Sequence, residues 1–350
     1  MNHNAIPAGL LAAALLLSGC TGRVVSNGPA AGSAPQSSQD QSVDATPVKT
    51  GLSITADLSD SDDGLAQAEI TLVAVTVDDN GRIDRCAIDM VESQIVFDDT
   101  GALVTDPTTL FESKDQLGQA YGMQSASSLG KEWNEQAAAF AQYVTGKTVA
   151  ELGSIALTED EKPAGADLAA SVTISVGDFL EGVQKAAANA VHLGAQMGDA
   201  LVLENRTTMG KSRDAAAGVD GSAQTDCSVA VITLRDGWIS SCLLDGLQAA
   251  VNFDTEGDIT SDTDTQFLTK NQLGDAYGLH EASSIGLEWN EQAAAFAHYV
   301  TGRTLEDVAG IAVNDERRPT DADLAASVTI SIGDFQALFA QAAARPNLDG

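Results

Sequence analysis

The feature that most constrains this chain is an internal repeat at an offset of 156 residues. The segment Lys114–Phe179 aligns without gaps on Lys270–Phe335, and 42 of the 66 aligned positions are identical. Solenoid repeats measure about 20–50 residues, so a unit of this length is a whole domain. The repeat therefore predicts two homologous domains at residues 66–195 and 224–345, joined by a linker at residues 196–223.

The first half of each unit has the pattern of a β-hairpin. Apolar and polar residues alternate over Ala68–Val77, Asp78–Gly81 offers an Asn-Gly turn, and Arg82–Asp89 resumes as a strand. In the second half, Trp133, Ala137, Phe140 and Val144 recur at helical spacing, which predicts a helix over 131–145.

Three further elements complete the unit. Thr148-x-x-Glu151 is a capping-box pattern for a short helix, Ala169–Val176 is apolar and predicted to be extended, and Ser175 is predicted to cap a helix that runs to about Val191. The fold class is therefore α+β: two tandem domains, each an antiparallel sheet with packed helices.

The N-terminus has the pattern of a lipoprotein leader. Leu10–Leu17 is an apolar run too short to span a bilayer, and it ends in Leu-Ser-Gly-Cys at Cys20. We expect residues 1–19 to be a signal peptide, Cys20 to be lipidated, and residues 20–65, rich in Ser, Gly, Pro and Asp, to form a flexible tether. The alternative is an ordinary secretory leader with an accidental cysteine.

Charge and composition exclude several classes of function. The net charge of −32 disfavours nucleic acid and anionic lipid as general partners, and four cysteines are too few for a disulfide scaffold. The four histidines do not occupy equivalent positions in the two repeats. A histidine-based catalytic or metal site duplicated with the domain is therefore disfavoured, and we predict no metal site and no catalytic residues.

Acidic turns such as Asp78–Gly81 and Asp254–Asp264 raise calcium binding as an alternative, but they lack the EF-hand spacing. Solvated turns are the simpler interpretation. Cys86 and Cys242, which are equivalent, are interpreted as small buried thiols. Cys227 is not expected to lie directly opposite Cys242 on neighbouring strands.

One motif is identical in both units. Asp-Leu-Ala-Ala-Ser-Val-Thr occupies 167–173 and again 323–329, and a helix is predicted to begin within a few residues. Free N–H groups at the start of a helix favour a phosphate. On so acidic a chain, an anion needs such a local site.

These residues resemble the C-terminal part of the FMN-binding domain family. That family includes the FMN-bearing subunit of sodium-pumping quinone reductases and flavinylated lipoproteins of extracellular electron transfer. The resemblance covers about twenty residues per unit, together with a similar opening hairpin. The valine before each threonine departs from the family, which usually has alanine there, and a β-branched side chain at this position is a potential obstacle.

The resemblance implies covalent FMN. A flavin transferase would esterify the FMN phosphate to Thr173 and Thr329, with Asp167, Ser171, Asp323 and Ser327 as the other motif residues. Tyr121 and Tyr277, each followed by glycine, are candidates to cover the flavin ring. Trp133 and Trp289 continue the apolar stripe of their helix and are favoured as core residues.

The function expected on this basis is electron carriage by a lipid-anchored flavoprotein on the extracytoplasmic face of the cell membrane. Its partners would be the membrane through the lipid anchor, the flavin transferase, a quinone-linked donor and an acceptor. It would be a redox carrier rather than an enzyme with its own substrate. Flavin held without a covalent bond stays open, as does a cofactor-free surface lipoprotein whose tandem domains bind a ligand or partner.

Overall fold

Two antiparallel sheets form the centre of the molecule in the computed structural model, which describes residues 46–345. The first has the order β1-β2-β3, with β1 at Lys49–Asp57, β2 at Leu65–Val77 and β3 at Ile83–Val96. The second has the order β4-β5-β6-β7, with strands at Leu110–Phe111, Ala200–Thr208, Gly221–Arg235 and Trp238–Phe253. The predicted α+β class is confirmed.

Each repeat contributes an equivalent set of helices, the first set lying between β4 and β5 in the chain and the second set after β7. In the first repeat these are α1 (Lys114–Leu117), α2 (Trp133–Val144), α3 (Val149–Leu152), α4 (Ala166–Ala169) and α5 (Gly177–Ala188). In the second repeat they are α6 (Lys270–Leu273), α7 (Trp289–Val300), α8 (Leu305–Ala309), α9 (Ala322–Ala325) and α10 (Gly333–Ala344). Within residues 46–345, no helix has the length and apolar character needed to cross a membrane.

The two repeats share an apolar core between the sheets. Leu72 and Val91 of the first sheet belong to the same buried cluster as Val229 and Val251 of the second. The equivalent residues Phe97 and Phe253 stack on each other with ring centroids 3.9 Å apart. The helices cover the outer faces, each repeat having its own helix-side core. Both faces of each sheet are covered. Apolar residues therefore occupy successive positions in the C-terminal half of β2 instead of alternating with polar ones.

Several sequence predictions are confirmed. The hairpin corresponds to β2 and β3, and β3 continues past the predicted strand end at Asp89 to Val96. Helix α2 buries its predicted stripe, and Thr148 and Glu151 form the predicted capping box of α3. Cys227 pairs with Leu247 and not with Cys242, as expected.

Other segments differ from the predictions. Strand β1 lies within the segment interpreted as a tether, and β5 lies within the predicted linker. Residues 169–176 do not form a strand, because α4 ends at Ala169 and an irregular segment leads to α5. Helix α5 begins after Val176, without a side-chain cap from Ser175, and ends at Ala188. The predicted leader and Cys20 lie outside the described residues.

Candidate functional site

Both motif threonines have the same hydrogen-bonding arrangement. The Thr173 N–H and Oγ1 donate to Gln136 Oε1 of α2 at 2.7 and 3.1 Å. Thr329 donates to Gln292 Oε1 of α7 at 2.8 and 3.1 Å. Both glutamines are fully buried, whereas the threonines are half-buried. A buried acceptor therefore fixes each threonine at the edge of the protein surface.

The valine that departs from the family pattern is taken up by the core. Val172 and Val328 are both 0% exposed and pack among the helix-side apolar residues. The extra methyl groups are thus enclosed by protein. The valine side chain therefore lies in the core and does not obstruct the surface beside the threonine.

The remaining motif residues do not hydrogen-bond to the threonine. Ser171 Oγ donates to the Leu168 carbonyl at 3.2 Å, and Ser327 Oγ donates to the Leu324 carbonyl at 3.3 Å. Asp167 and Asp323 are exposed in the first turns of α4 and α9. The serines therefore close the short helix that precedes each threonine, and the aspartates face solvent.

The helix that follows each threonine does not present the same electrostatic surface in the two repeats. The carboxylate of Glu161 lies against Gly177 at the start of α5, and the Arg317 side chain lies against Gly333 at the start of α10. A carboxylate already occupies this end of α5. The charged side chain beside the helix that follows the threonine is therefore acidic in the first repeat and basic in the second.

A lysine, a tyrosine and a tryptophan form a cluster in each repeat, which we call the cation–aromatic cluster. Lys114 Nζ lies 5.4 Å from the Tyr121 ring centroid and 5.6 Å from that of Trp133. Lys270 Nζ lies 5.3 Å from the Tyr277 centroid and 4.9 Å from that of Trp289. The tryptophans are buried, as predicted, while the tyrosines are partly exposed.

Buried carboxylates hold the helices that carry the lysines. Asp89 Oδ1 accepts the N–H groups of Met90 and Asp115 at 2.8 and 3.0 Å, and Oδ2 accepts from Asn205 Nδ2 of β5 at 2.8 Å. Burial raises the pKa of Asp89 to about 7. In the second repeat, burial raises the pKa of the equivalent Asp245 to about 6.

The loops before α2 and α7 are fixed by the same geometry in the two repeats. Glu132 accepts the N–H groups of Met123 and Gln124 at 2.8 and 3.0 Å. Glu288 accepts those of Leu279 and His280 at 2.9 and 2.8 Å. Each glutamate thus ties the segment after the cluster tyrosine to the helix that carries the cluster tryptophan.

The acidic turns use their carboxylates locally. Asp78 Oδ1 accepts the N–H groups of Asn80 and Arg82, and Asp254 Oδ1 accepts those of Glu256 and Asp258. Across residues 46–345, no three His, Cys, Asp or Glu side chains are grouped to hold a metal ion. Burial also raises the pKa of Cys227 to about 12, and it raises those of Cys86 and Cys242.

Two clefts lie outside the threonine sites. The first has a volume of about 330 Å³ and borders the first motif at Leu168; it is also lined by Tyr143, Lys147, Glu151, Ser154, Ile155, Ala156 and Gly165. The second, of about 210 Å³, lies between the segment after α5 and the α7 side of the second repeat, and includes Leu193, Cys242 and His298.

Sequence reasoning missed Lys114, Lys270, Gln136, Gln292 and the two buried aspartates. A signal was present, because all three residue types recur at the 156-residue offset. Burial and the long-range partners that define their roles could not be read from one local segment.

Comparison with known proteins gives one limited similarity. A segment of 97 aligned residues is 35% identical to a chlorophenol reductase of Desulfitobacterium hafniense, covering 24% of this chain. The chain spans 29% of the length of that relative. No family model matches the sequence, and no solved structure matches it.

Proposed function

We propose that the protein is a lipid-anchored, extracytoplasmic flavoprotein that carries electrons through two FMN groups esterified to Thr173 and Thr329. The observation that carries the proposal is the pair of threonines with the same half-buried position and the same glutamine partner. The presence of the same side-chain geometry in both repeats supports a shared role. The lipid anchor and the membrane face rest on the sequence of the leader alone.

The residues around each threonine are compatible with a phosphoester. Gln136 and Gln292 orient the hydroxyl, and their Oε1 atoms still accept the threonine N–H when Oγ1 carries an ester instead of a proton. Glutamine is not a base, so the flavin transferase supplies proton removal. The buried valines leave the surface beside the threonine to the transferase and its substrate.

FMN, when bound, supplies one- and two-electron redox chemistry. The protein supplies attachment, orientation and charge. The partly exposed Tyr121 and Tyr277 provide aromatic surface for a flavin ring, which supports carriage by collision with a quinone-linked donor and an acceptor. The partial similarity to a protein named as a reductase is compatible with a redox role.

Flavin attachment tests the proposal directly. Protein made in a host with the flavin transferase should be yellow, keep its flavin through acid precipitation, and give a fluorescent band on a denaturing gel. Thr173→Ala and Thr329→Ala should each remove half of the acid-stable flavin, and the double variant should remove all of it. Thr145→Ala, whose hydroxyl bonds only to the Ala141 carbonyl, should keep the full amount.

A colourless wild-type protein, obtained with transferase and flavin supplied, would contradict the flavoprotein proposal. The second candidate is a cofactor-free lipoprotein that binds a small ligand. The cleft of about 330 Å³ beside the first motif favours this candidate.

A further inference from the structure

We infer that Lys114 and Lys270 bind the carbonyl edge of the isoalloxazine ring, and that each cation–aromatic cluster is the ring-binding site of its repeat. The inference deepens the proposed function and rests on it. Its ligand class is a planar, electron-accepting heteroaromatic ring with carbonyl oxygens. The identical motif has no cationic residue, so the lysines supply the positive charge that the motif lacks.

The cluster and the threonine share one helix face. Trp133 and Gln136 of α2 are three residues apart, and residues at this spacing are neighbours on a helix surface. Gln136 holds Thr173, and Trp133 contacts Lys114. The second repeat places Trp289 and Gln292 in the same way. A group attached at the threonine therefore begins one helical turn from the cluster.

The lysines are held in place before any ligand arrives. Ser113 and Thr269 form capping boxes at the starts of α1 and α6, so the lysine backbone is fixed. Lys114 is 7% exposed, and its Nζ lies 2.9 Å from Met90 Sδ. At the equivalent position, Gly246 leaves room for the Lys270 stem, whose Cδ and Cε would lie 3.6 Å from an added Cβ.

The ammonium groups retain hydrogen-bonding capacity. An ammonium has three donors, and aromatic faces satisfy it only through their quadrupole. Burial lowers the pKa of Lys270, which is the sign of an ammonium removed from water. A carbonyl oxygen in the plane of a ring stacked near the tyrosine would satisfy a free donor and bury aromatic surface in the same contact.

The positive charge of each cluster lysine also favours the reduced form of the ring over the oxidised form. Uptake of two electrons from the donor and one proton from solvent leaves the ring with one negative charge, and an adjacent ammonium stabilises that charge. In the first repeat, Glu69 lies 3.5 Å from Lys114 Nζ and offsets part of this effect. The equivalent residue in the second repeat is Thr225. Lys211, Asp226, Asp245 and Asp334 also act on Lys270 through longer-range charge.

The test uses holoprotein with one flavin, because Thr173→Ala leaves only the second site loaded and Thr329→Ala only the first. Lys270→Met and Lys114→Met should lower the midpoint potential of the flavin in their own repeat. A tenfold loss of preference for the reduced ring corresponds to about 30 mV for a two-electron couple. Glu69→Gln should raise the potential of the first flavin, an opposite effect that misfolding does not produce.

Matched controls come from an equivalent pair outside the cluster. Lys147 lies over the Tyr143 ring at 4.2 Å, and Arg303 lies over the Tyr299 ring at 4.1 Å. Lys147→Met and Arg303→Met remove a cation from an aromatic face without touching the cluster. Potentials in the lysine variants that equal those in these controls would overturn the inference while leaving the flavoprotein proposal intact.

A second arm needs no covalent flavin. Flavin-free protein carrying Trp238→Phe, which removes the exposed tryptophan, is titrated with riboflavin while the fluorescence of Trp133 and Trp289 is followed. We expect saturable quenching whose dissociation constant rises at least fivefold in the Lys114→Met, Lys270→Met double variant. Quenching that does not saturate, or that the double variant leaves unchanged, overturns the inference. Absence of acid-stable flavin counts against the proposed function alone.

Discussion

At the scale of single residues, Asp89 carries a defined pH dependence. It is 3% exposed, and burial raises its pKa to about 7, above the value of about 3.9 for an unfolded chain. The unfolded state therefore releases this proton at lower pH than the folded state does. The contribution of Asp89 to stability is fully present below about pH 4 and is lost as the pH rises towards 7.

The variant Asp89→Asn should remove this pH dependence. An asparagine keeps an oxygen for the N–H groups of Met90 and Asp115 and carries no charge at any pH. Between pH 4 and pH 8, the free energy of unfolding of the wild type should fall relative to the variant by up to about 4 kcal/mol. Urea denaturation at a series of pH values measures this difference. The exposed Asp315→Asn serves as control, and parallel profiles for wild type and Asp89→Asn would contradict the prediction.

The partners of Asp89 show what a sequence reveals at this scale. The sequence alone identified the motif residues Thr173 and Thr329 and the cluster tyrosines, because they recur in short identical segments. Asn205, which bonds to Asp89, lies 116 residues away on a strand of the other sheet. In the sequence, a carboxylate that becomes buried cannot be distinguished from an exposed one, because only the fold shows which distant residue is its partner.

At the scale of elements, local patterns predicted what local physics controls. Helix α2 and the capping box of α3 depend on residues within four positions of each other, and both were predictable. Strand β5 depends on its pairing with β6 across a long connection, so its segment reads as a linker. The segment 169–176 has an apolar composition because Val172 fills a core, not because it pairs in a sheet.

Glu132 is the residue on which the start of α2 depends. Its carboxylate binds two N–H groups of the preceding loop, and hydrogen bonds to a charged group contribute about 1.5–3 kcal/mol each. Glu132→Ala should therefore lower the free energy of unfolding by about 3 kcal/mol. The amides of Met123 and Gln124 should exchange with solvent on the order of 100-fold faster, as hydrogen-exchange measurements would show.

The neighbouring Glu135→Ala provides a graded control. Glu135 Oε2 accepts only the Glu132 N–H, at 2.8 Å, so its loss should cost about 1 kcal/mol and leave the loop amides protected. Equal effects of the two variants would mean that the loop is held by its packing and not by the Glu132 carboxylate.

At the scale of the whole molecule, the central core joins the two repeats into one body. The described residues, 46–345, belong to a single compact unit, and the core between the sheets takes side chains from both repeats. Hydroxyl pairs also cross between the sheets, with Ser93 and Thr225 at 2.7 Å and Thr50 and Ser241 at 3.1 Å. If each repeat holds a flavin, this shared core fixes the two carriers relative to each other.

Cooperative unfolding follows from the stacked pair Phe97 and Phe253. Phe97 is 2% exposed, and replacing it with alanine should lower the free energy of unfolding by about 3–5 kcal/mol. Single-tryptophan variants retaining Trp133 or Trp289 report on each repeat separately. Because the repeats share this core, both probes should lose structure at the same urea concentration in Phe97→Ala.

Phe140→Ala makes the test decisive, because Phe140 packs only in the helix-side core of the first repeat. If the shared core couples the repeats, the Trp289 transition should move to lower urea together with the Trp133 transition. A Trp289 midpoint that stays at its wild-type value while the Trp133 midpoint falls would mean that the repeats unfold independently. A larger separation between the two midpoints would then mean that the central core provides less coupling free energy between the repeats.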